Sequence, residues 1–406
     1  MRYFKRHPEK TFLDMNQPCK SSAQFSARLI KSSKHTSARV MEITTPHGNI
    51  MTPSFMPVGT RAFVNHMTPH DLIHAGSQII LGGNTYHMLV NPGMEVIKAS
   101  GGMHRLMAWE RPLLSDSGGF QVFSLSKNSK ICRIDTEGAH FKHSITGEVI
   151  HLTPRSAIEA QKIIGADIIM AFDECTPEQG GREAALFAMD RTHRWLLESK
   201  EVHQCASNAY HGHQQALFGI IQGGSFQDFR ERSAQFIVEA DLDGIAIGGE
   251  IIGADIEKTC EVIDWVRPLL PPHKVRYTMG VGLNPQDLIR VAAKGIDLFD
   301  CVAPTRNARH GALYHGKVSK TADWLEFLSE EKNGRLLIKK SIYAQDDRPI
   351  LQGCLCYTCQ HFSRAYLHFL FKQGSSLYNQ LGCIHNIDVM HRVCQHMRSL
   401  MLAEDT

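Results

Sequence analysis

From about Ser37 onward, short apolar runs alternate with longer amphipathic stretches. The runs are Ile79-Ile80-Leu81, Leu113-Leu114, Ile168-Ile169-Met170-Ala171-Phe172, Leu217-Phe218-Gly219-Ile220-Ile221, Ile245-Ala246-Ile247 and Leu298-Phe299. Their short length, β-branched and aromatic content and Gly-rich exits predict strands buried on both faces. The stretches between them carry helical spacing. In one, Leu186, Met189, Leu196 and Leu197 fall on a single face. Strand, helix, strand in repetition predicts a parallel sheet with right-handed crossovers. Roughly 270 residues of it suit a (β/α)8 barrel, with a doubly wound sheet as the runner-up. Residues 1–37 lack helical or strand periodicity and are rich in Lys, Arg, Ser and Gln, so they read as a poorly ordered N-terminal extension.

Most of the runs end in polar or flexible residues: Gly82-Gly83-Asn84, Asp116-Ser117-Gly118-Gly119, Asp173-Glu174, Gln222-Gly223-Gly224, Gly248-Gly249 and Asp300. Any one of them is explained by helix caps and turns. Together they favour the barrel, because there all such strand ends open onto one face, where an active site is built.

Composition narrows the class. The 406 residues are 43% hydrophobic and 21% charged, the pattern of an ordinary globular chain, which excludes disorder, collagen and coiled coil. No apolar run reaches the roughly 18 residues of a membrane helix, and the basic N-terminus leads into no apolar segment, so neither a membrane span nor a secretory signal is expected. With 44 Lys+Arg against 41 Asp+Glu, the net charge of +3 requires any nucleic-acid contact to come from a local basic patch. The eleven cysteines suit reduced thiols and a metal site in the cytoplasm rather than a disulfide framework.

Three of those cysteines crowd together as Cys354, Cys356 and Cys359, followed by a helical stretch and then Cys383-Ile-His385. Three thiolates within six residues can wrap one ion, and a His beyond the helix could complete a Cys3His zinc set, closed and therefore structural. By spacing alone Cys383, His361 and His368 compete with His385 for the fourth position. The organisation expected is an extension over 1–37, a barrel over 38–345, and a small zinc-binding subdomain with closing helices over 346–406.

The strand ends and the thiol cluster together resemble the queuine/archaeosine tRNA-guanine transglycosylases, most closely the bacterial type. The likeness rests on Pro57-Val-Gly-Thr60, Gly83-Asn-Thr-Tyr-His87, Ser115-Asp-Ser-Gly-Gly-Phe-Gln121, Phe172-Asp-Glu-Cys-Thr-Pro177, Gly219-Ile-Ile-Gln-Gly223, Phe299-Asp-Cys-Val302 and Pro304-Thr-Arg306, in this order, with the thiol cluster and His385 at the family's spacing. It implies a (β/α)8 barrel with a zinc-binding insertion holding one structural zinc through Cys354, Cys356, Cys359 and His385, working as a homodimer. The reaction implied is exchange of the wobble guanine in the anticodon loop of tRNAs with a GUN anticodon for a 7-deazaguanine base.

Base exchange at a ribose C1′ passes through an oxocarbenium-like transition state and can be run by two carboxylates. The resemblance assigns the nucleophile to Asp300 and the general acid/base to Asp116; read bare, the first could be a structural ion pair and the second a helix cap. It assigns base recognition to Asp173, Gln222 and the Gly249 backbone, along the Asp116, Ser117, Gly118, Gly119 and Phe120 turn, with Met279 and Phe120 as stacking surfaces. Thr305, Arg306, Asn307, Ala308 and Arg309 resemble the family's anticodon-holding loop, in a run with four Lys/Arg and no acid from Pro304 to Ala322. The stretch Gly280, Val281, Gly282, Leu283, Asn284, Pro285 and Gln286 is expected to add RNA contacts, and Lys332, Arg335, Lys339 and Lys340 to meet the stem.

Two departures concern the incoming base. Bacterial members read Gly-Gly-Leu-Ala-Val-Gly-Glu where this chain reads Gly248-Gly-Glu-Ile-Ile-Gly-Ala254, so the carboxylate that helps hold an aminomethyl arm is replaced by Ala254 and a new one appears at Glu250. Phe120 replaces a Tyr. Both point to queuine as the incoming base, with the aminomethyl precursor as the alternative. A non-catalytic tRNA-binding partner subunit is the rival class, disfavoured by the presence of Asp116, Asp173 and Asp300 together. A barrel metallohydrolase would need His and Asp ligands spread over strand ends.

Overall fold

The computed structural model of the chain describes residues 23–126, 132–143, 147–176 and 178–404. Eight parallel strands close into a barrel: β1 (Ser54–Gly59), β2 (Ile80–Gly82), β3 (Leu113–Leu114), β4 (Ile168–Met170), β5 (Ala216–Ile221), β6 (Gly244–Ile247), β7 (Val275–Thr278) and β8 (Leu298–Cys301). They neighbour one another in chain order, and the seam is sealed where Leu298 to Cys301 pair with Ser54 to Pro57. The (β/α)8 expectation holds. All six apolar runs supply barrel strands.

Alternation along the strands separates two apolar layers. Met56, Leu114, Met170, Phe218, Ile220, Ala246, Tyr277 and Leu298 fill the barrel interior, while Phe55, Leu113, Ile169, Leu217, Ile245 and Phe299 pack outward under the helices. Each such side chain contributes about 1.5–3 kcal/mol when fully buried. The helix Gly181–Cys205 buries Met189 and Leu196 as its spacing predicts, but Leu197 is 52% exposed: it lies one position on from Leu196, about 100° around the helix.

The N-terminal reading needs correction. Residues 1–22 lie outside the described residues, but Ser26–Ser32 form a strand, paired antiparallel with Arg39–Thr45, which in turn pairs with Gly48–Met51. This meander plugs the floor of the barrel. Ile43 and Ile50 join the interior cluster, and the Phe25 ring meets Phe218 edge-on at 6.0 Å. The strand escapes a period-two reading because it is an edge strand with a register shift between Leu29 and Lys31 and an exposed Lys/Arg/Ser face.

Beyond β8 the chain forms the helix Ala303–Arg309, two short hairpin-like sheets, a cysteine-bearing segment, the helices Tyr357–His361 and Arg364–Lys372, and a long helix, Ser376–Leu402. The long helix lies against the seam: the His391 ring meets Phe55 of β1 at 6.0 Å and its Nε2 lies 2.8 Å from the Ser77 hydroxyl. No helix among the described residues is long and apolar enough to cross a membrane.

Candidate active site and metal centre

Three carboxylates gather at the C-terminal ends of the strands. Asp116 follows β3 and starts the turn into the helix Gly119–Ser126. Its Oδ1 accepts from the amides of Gly118 (3.0 Å) and Thr85 (3.3 Å), and its Oδ2 from the Asn84 amide. Asp300 lies in β8, its Oδ1 accepting from the Tyr277 hydroxyl (2.6 Å) and the Gly280 amide (3.0 Å). Asp173 follows β4 and accepts from Ser117 Oγ (2.9 Å) and Gln222 Nε2 (2.8 Å). Among the described residues, none of the three is paired with a Lys or Arg.

Their surroundings set their chemistry. Burial pushes Asp116 up to about 7 against the pull of its three hydrogen bonds, and the nearby Asp300 charge adds to the rise. Burial pushes Asp173 to about 6, and raises Asp300 as well. A proton donor, a carboxylate fixed by two donors and a carboxylate flanked by amide and hydroxyl groups therefore face one mouth. This is equipment for acid–base and nucleophilic work on a glycosidic bond.

Close backbone approach shapes the pocket. A Cβ on Gly119 would lie 2.5 Å from Asp173 Oδ1 and overlap the Asp173 carbonyl, so only glycine lets the turn lie on that carboxylate. Gly249, at φ +127°, faces Arg230, whose guanidinium would be 2.8 Å from a Cβ there. Gln222 connects Asp173 to Thr176 through its two amide ends. Met279 is half-buried beside Gly248, and Phe120 is 56% exposed at the rim. The Glu250 carboxylate accepts from the Glu178 amide at 3.0 Å, tying the loop after β6 to the loop after β4. Ala254 is exposed. Pro177 of the Phe172–Pro177 motif lies outside the described residues.

Sequence reasoning missed three contributors. Asn84 and Tyr277 hold Asp116 and Asp300; Asn84 was marked as a strand end without a role, and Tyr277, near the end of β7, was not marked at all. Arg230, fully buried, donates to the carbonyls of Ile221 (3.0 Å), Gly224 (2.7 Å) and Gly248 (2.7 Å), fixing two site loops from inside a helix. Nothing local in its sequence marks it.

The segments expected to contact RNA differ in exposure. Thr305 to Arg309 form part of the helix Ala303–Arg309 rather than a loop, and the side chains of Thr305 and Ala308 are buried against the long helix, where Tyr378 donates to the Ala308 carbonyl. Arg306 is exposed, and Asn307 and Arg309 are half-exposed. In the other segment Val281 is fully buried and Pro285 is buried at the first turn of a helix capped by Asn284. Gly282 is also buried, Gly280 and Asn284 are half-exposed, Leu283 is exposed, and Gln286 accepts from the Phe327 amide at 2.6 Å. Proline suits that first helical position because its φ is already helical and its missing N–H has no partner there. Arg335 is committed to the Leu283 carbonyl (2.9 Å) and Asn284 (2.6 Å), whereas Lys332, Lys339 and Lys340 are exposed.

The cysteine segment is brought to the long helix. Sγ of Cys354, Cys356 and Cys359 lie 3.9, 3.5 and 3.4 Å from His385 Nδ1, all four residues buried. His385 Nε2 donates to the Tyr314 carbonyl at 2.7 Å, which turns the Nδ1 lone pair onto the thiols. Of the competing ligands, Cys383 faces the Thr305 carbonyl, and His361 and His368 bond backbone carbonyls elsewhere. The group is a Cys3His set able to hold a metal ion.

A parallel barrel whose mouth gathers three buried carboxylates, followed by a Cys3His set, has the architecture of an enzyme whose site lies at the strand ends. Comparison with known proteins makes this specific. The family model described as "Queuine tRNA-ribosyltransferase" matches residues 33–406, and the chain belongs to that family of pentosyltransferases. Similar proteins carrying that name come from Herpetosiphon aurantiacus (46% identical, 90% of this chain, 86% of that protein), Cyanothece sp. (44%, 91% and 90%) and Lysinibacillus sphaericus (42%, 91% and 90%).

Proposed function

We propose that the chain exchanges the wobble guanine of tRNAs with a GUN anticodon for a 7-deazaguanine base by double displacement. The observation that carries this reading is the trio of recessed carboxylates without cationic partners at one mouth. Asp300, steadied by Tyr277 and Gly280, attacks the ribose C1′, while Asp116 gives its proton to the departing guanine. The ribosyl ester on Asp300 is then displaced by the incoming base, whose ring proton returns to Asp116. Asp173 accepts from the ring N–H and exocyclic amine of the base. Gln222, which donates to Asp173 with one amide hydrogen, offers the second to the base carbonyl together with the Gly249 amide. Ser117, Gly118 and Gly119 carry the turn against which the base lies, between Met279 and Phe120.

Queuine is the preferred base. Ala254 provides no carboxylate for an aminomethyl arm, and the Glu250 carboxylate is engaged by the Glu178 amide. The anticodon loop meets the exposed Arg306, just after β8, with Lys317 and Lys320, also exposed, as further cations for phosphate. The Cys3His set holds one structural zinc, with Arg392 donating to the Cys354 thiolate at 2.8 Å as outer-shell support. We read residues 38–345 as the barrel and 346–406 as the zinc-binding subdomain with its closing helices, in a homodimeric, cytoplasmic enzyme.

The test offers labelled guanine, queuine and the aminomethyl precursor separately on tRNA with a GUN anticodon, with Asp300→Asn as control. Queuine incorporation over the precursor is expected. Precursor preference would overturn the base assignment, and no exchange of any base would overturn the reading.

A further inference from the structure

The floor of the barrel, opposite the mouth, carries a second gathering of metal-ligating side chains that the exchange reaction does not use. Asp167 immediately precedes β4, and His213 stands just before β5. His47 lies in the turn between the meander strands Arg39–Thr45 and Gly48–Met51, and His104 in the short helix Met103–Met107. One donor atom from each of the four lies within 4.8 Å of the others. His47 Nδ1 is 2.7 Å from Asp167 Oδ1, and His104 Nε2 is 3.3 Å from Oδ2. The His47 and His104 rings stack at 3.6 Å, with His213 edge-on to His47 at 4.8 Å.

The outward nitrogens of His104 and His213 are spoken for. His104 Nδ1 lies 2.9 Å from the Trp109 carbonyl, and His213 is hydrogen-bonded to the Ala166 backbone. That is the outer shell which orients a metal-bound imidazole, the same arrangement as His385 on the Tyr314 carbonyl. The inward nitrogen of His213, a residue 8% exposed, has no hydrogen-bond partner, an uncompensated buried polar atom aimed at the cluster. We infer that His47, His104, Asp167 and His213 form a second metal site, a closed His3Asp set for a divalent transition ion of the zinc class.

Three imidazoles and one carboxylate suit zinc or cobalt rather than magnesium or calcium. Tetrahedral zinc places its ligand atoms about 3.3–3.5 Å apart, so binding asks for up to about 1.5 Å of closure at the widest pair and for the stacked His47 and His104 rings to splay until their in-plane lone pairs converge. Four protein ligands leave no open position, and the site lies away from the mouth. Its role is to staple the meander turn and the helix Met103–Met107 to the entry ends of β4 and β5.

The experiment titrates the purified full chain, its cysteine cluster filled with zinc, with cobalt(II) and reads the visible spectrum. One equivalent is expected to give d–d absorption without a thiolate-to-cobalt charge-transfer band, since this set holds no sulfur. His213→Gln, and separately His104→Gln, should lose that equivalent while keeping base exchange, as both residues are remote from the mouth. Excess zinc should also raise the thermal midpoint of the wild-type chain by mass action and leave His213→Gln unmoved. Should a variant fail to fold, the wild-type spectrum decides. No bound cobalt at millimolar concentration, absorption only with the thiolate band, or a band unchanged in a folded His213→Gln would overturn the inference.

Discussion

At the mouth of the barrel, Asp116, Asp173 and Asp300 are enclosed by protein with amides, hydroxyls and a carboxamide for partners; burial wins and their proton affinities rise. At the floor, Asp297 and Asp167 are more deeply buried but meet Arg39 and two histidines. Arg39 grips Asp297 through Nε (2.9 Å) and Nη2 (2.5 Å), and His104 and His47 hold Asp167 well below the usual carboxylate range although burial opposes them. The same side chain at the two ends of the same strands therefore does opposite things. Paired, it fastens the fold; left without a counter-charge, it keeps a proton to give or a lone pair to attack with. The mouth's arrangement costs stability that the floor does not spend.

Variants at the two ends should separate activity from stability. The largest effect belongs to Asp300→Asn. Base exchange should fall by roughly 10⁴-fold or more, as for loss of a nucleophile. Because an amide oxygen can still accept from Tyr277 and Gly280, thermal unfolding at pH 8 should shift upward by a few degrees as a buried charge disappears. A loss of both activity and thermal stability would contradict the comparison. Next is Asp297→Ala, which strands the Arg39 guanidinium and removes the acceptor of the Arg276 amide. Chemical denaturation should register a loss of about 3–5 kcal/mol, with kcat of the remaining folded enzyme unchanged.

Smaller effects sharpen the mouth itself. Gly119→Ala drives a methyl into Asp173 and should cut kcat/KM by roughly 10²-fold, mainly through KM for the base, because the base-reading carboxylate moves. The pH profile comes last. If Asp116 gives up its proton in the first half-reaction, kcat/KM should fall as pH rises through about 7, approaching tenfold per unit. A profile flat through that point removes the acid role from Asp116. The stability sign agrees with the same titration. Asp116 and Asp173 titrate near 7 and 6 folded against 3.8 unperturbed, so their contribution is complete below the unperturbed value and is lost as pH rises through 6 and then 7.

Much of the barrel was legible because a strand buried on both faces must be written in apolar residues. The two strands that the apolar runs did not disclose explain themselves. β1 contains Pro57 near its end, and β7 carries Arg276, which reads as exposed but is buried with its guanidinium on the Leu270 carbonyl at 2.9 Å. The strand Ser26–Ser32 failed for the converse reason, being an edge with a bulge and a solvent face. At the site, motif residues such as Asp116 and Asp173 were legible from their place at strand ends. The inward turn of Thr305 and Ala308 was not legible, because a run of basic and small residues does not say which of its members a helix buries. Arg230 was illegible, since its partners are carbonyls from three other positions that only folding assembles.

The long helix Ser376–Leu402 carries both His385 of the cysteine cluster and His391, which packs on the β1 side of the seam. Its position in the chain imposes an order of events. During synthesis, β1 emerges more than three hundred residues before the element that covers its seam with β8, so that edge waits uncovered until the long helix has been made. Capture of a metal by the cysteines requires the same helix to have arrived. One helix thus both covers the ring's last joint and completes the ligand set, and a truncation anywhere before His385 would leave the cysteines without their fourth ligand and the seam without its cover.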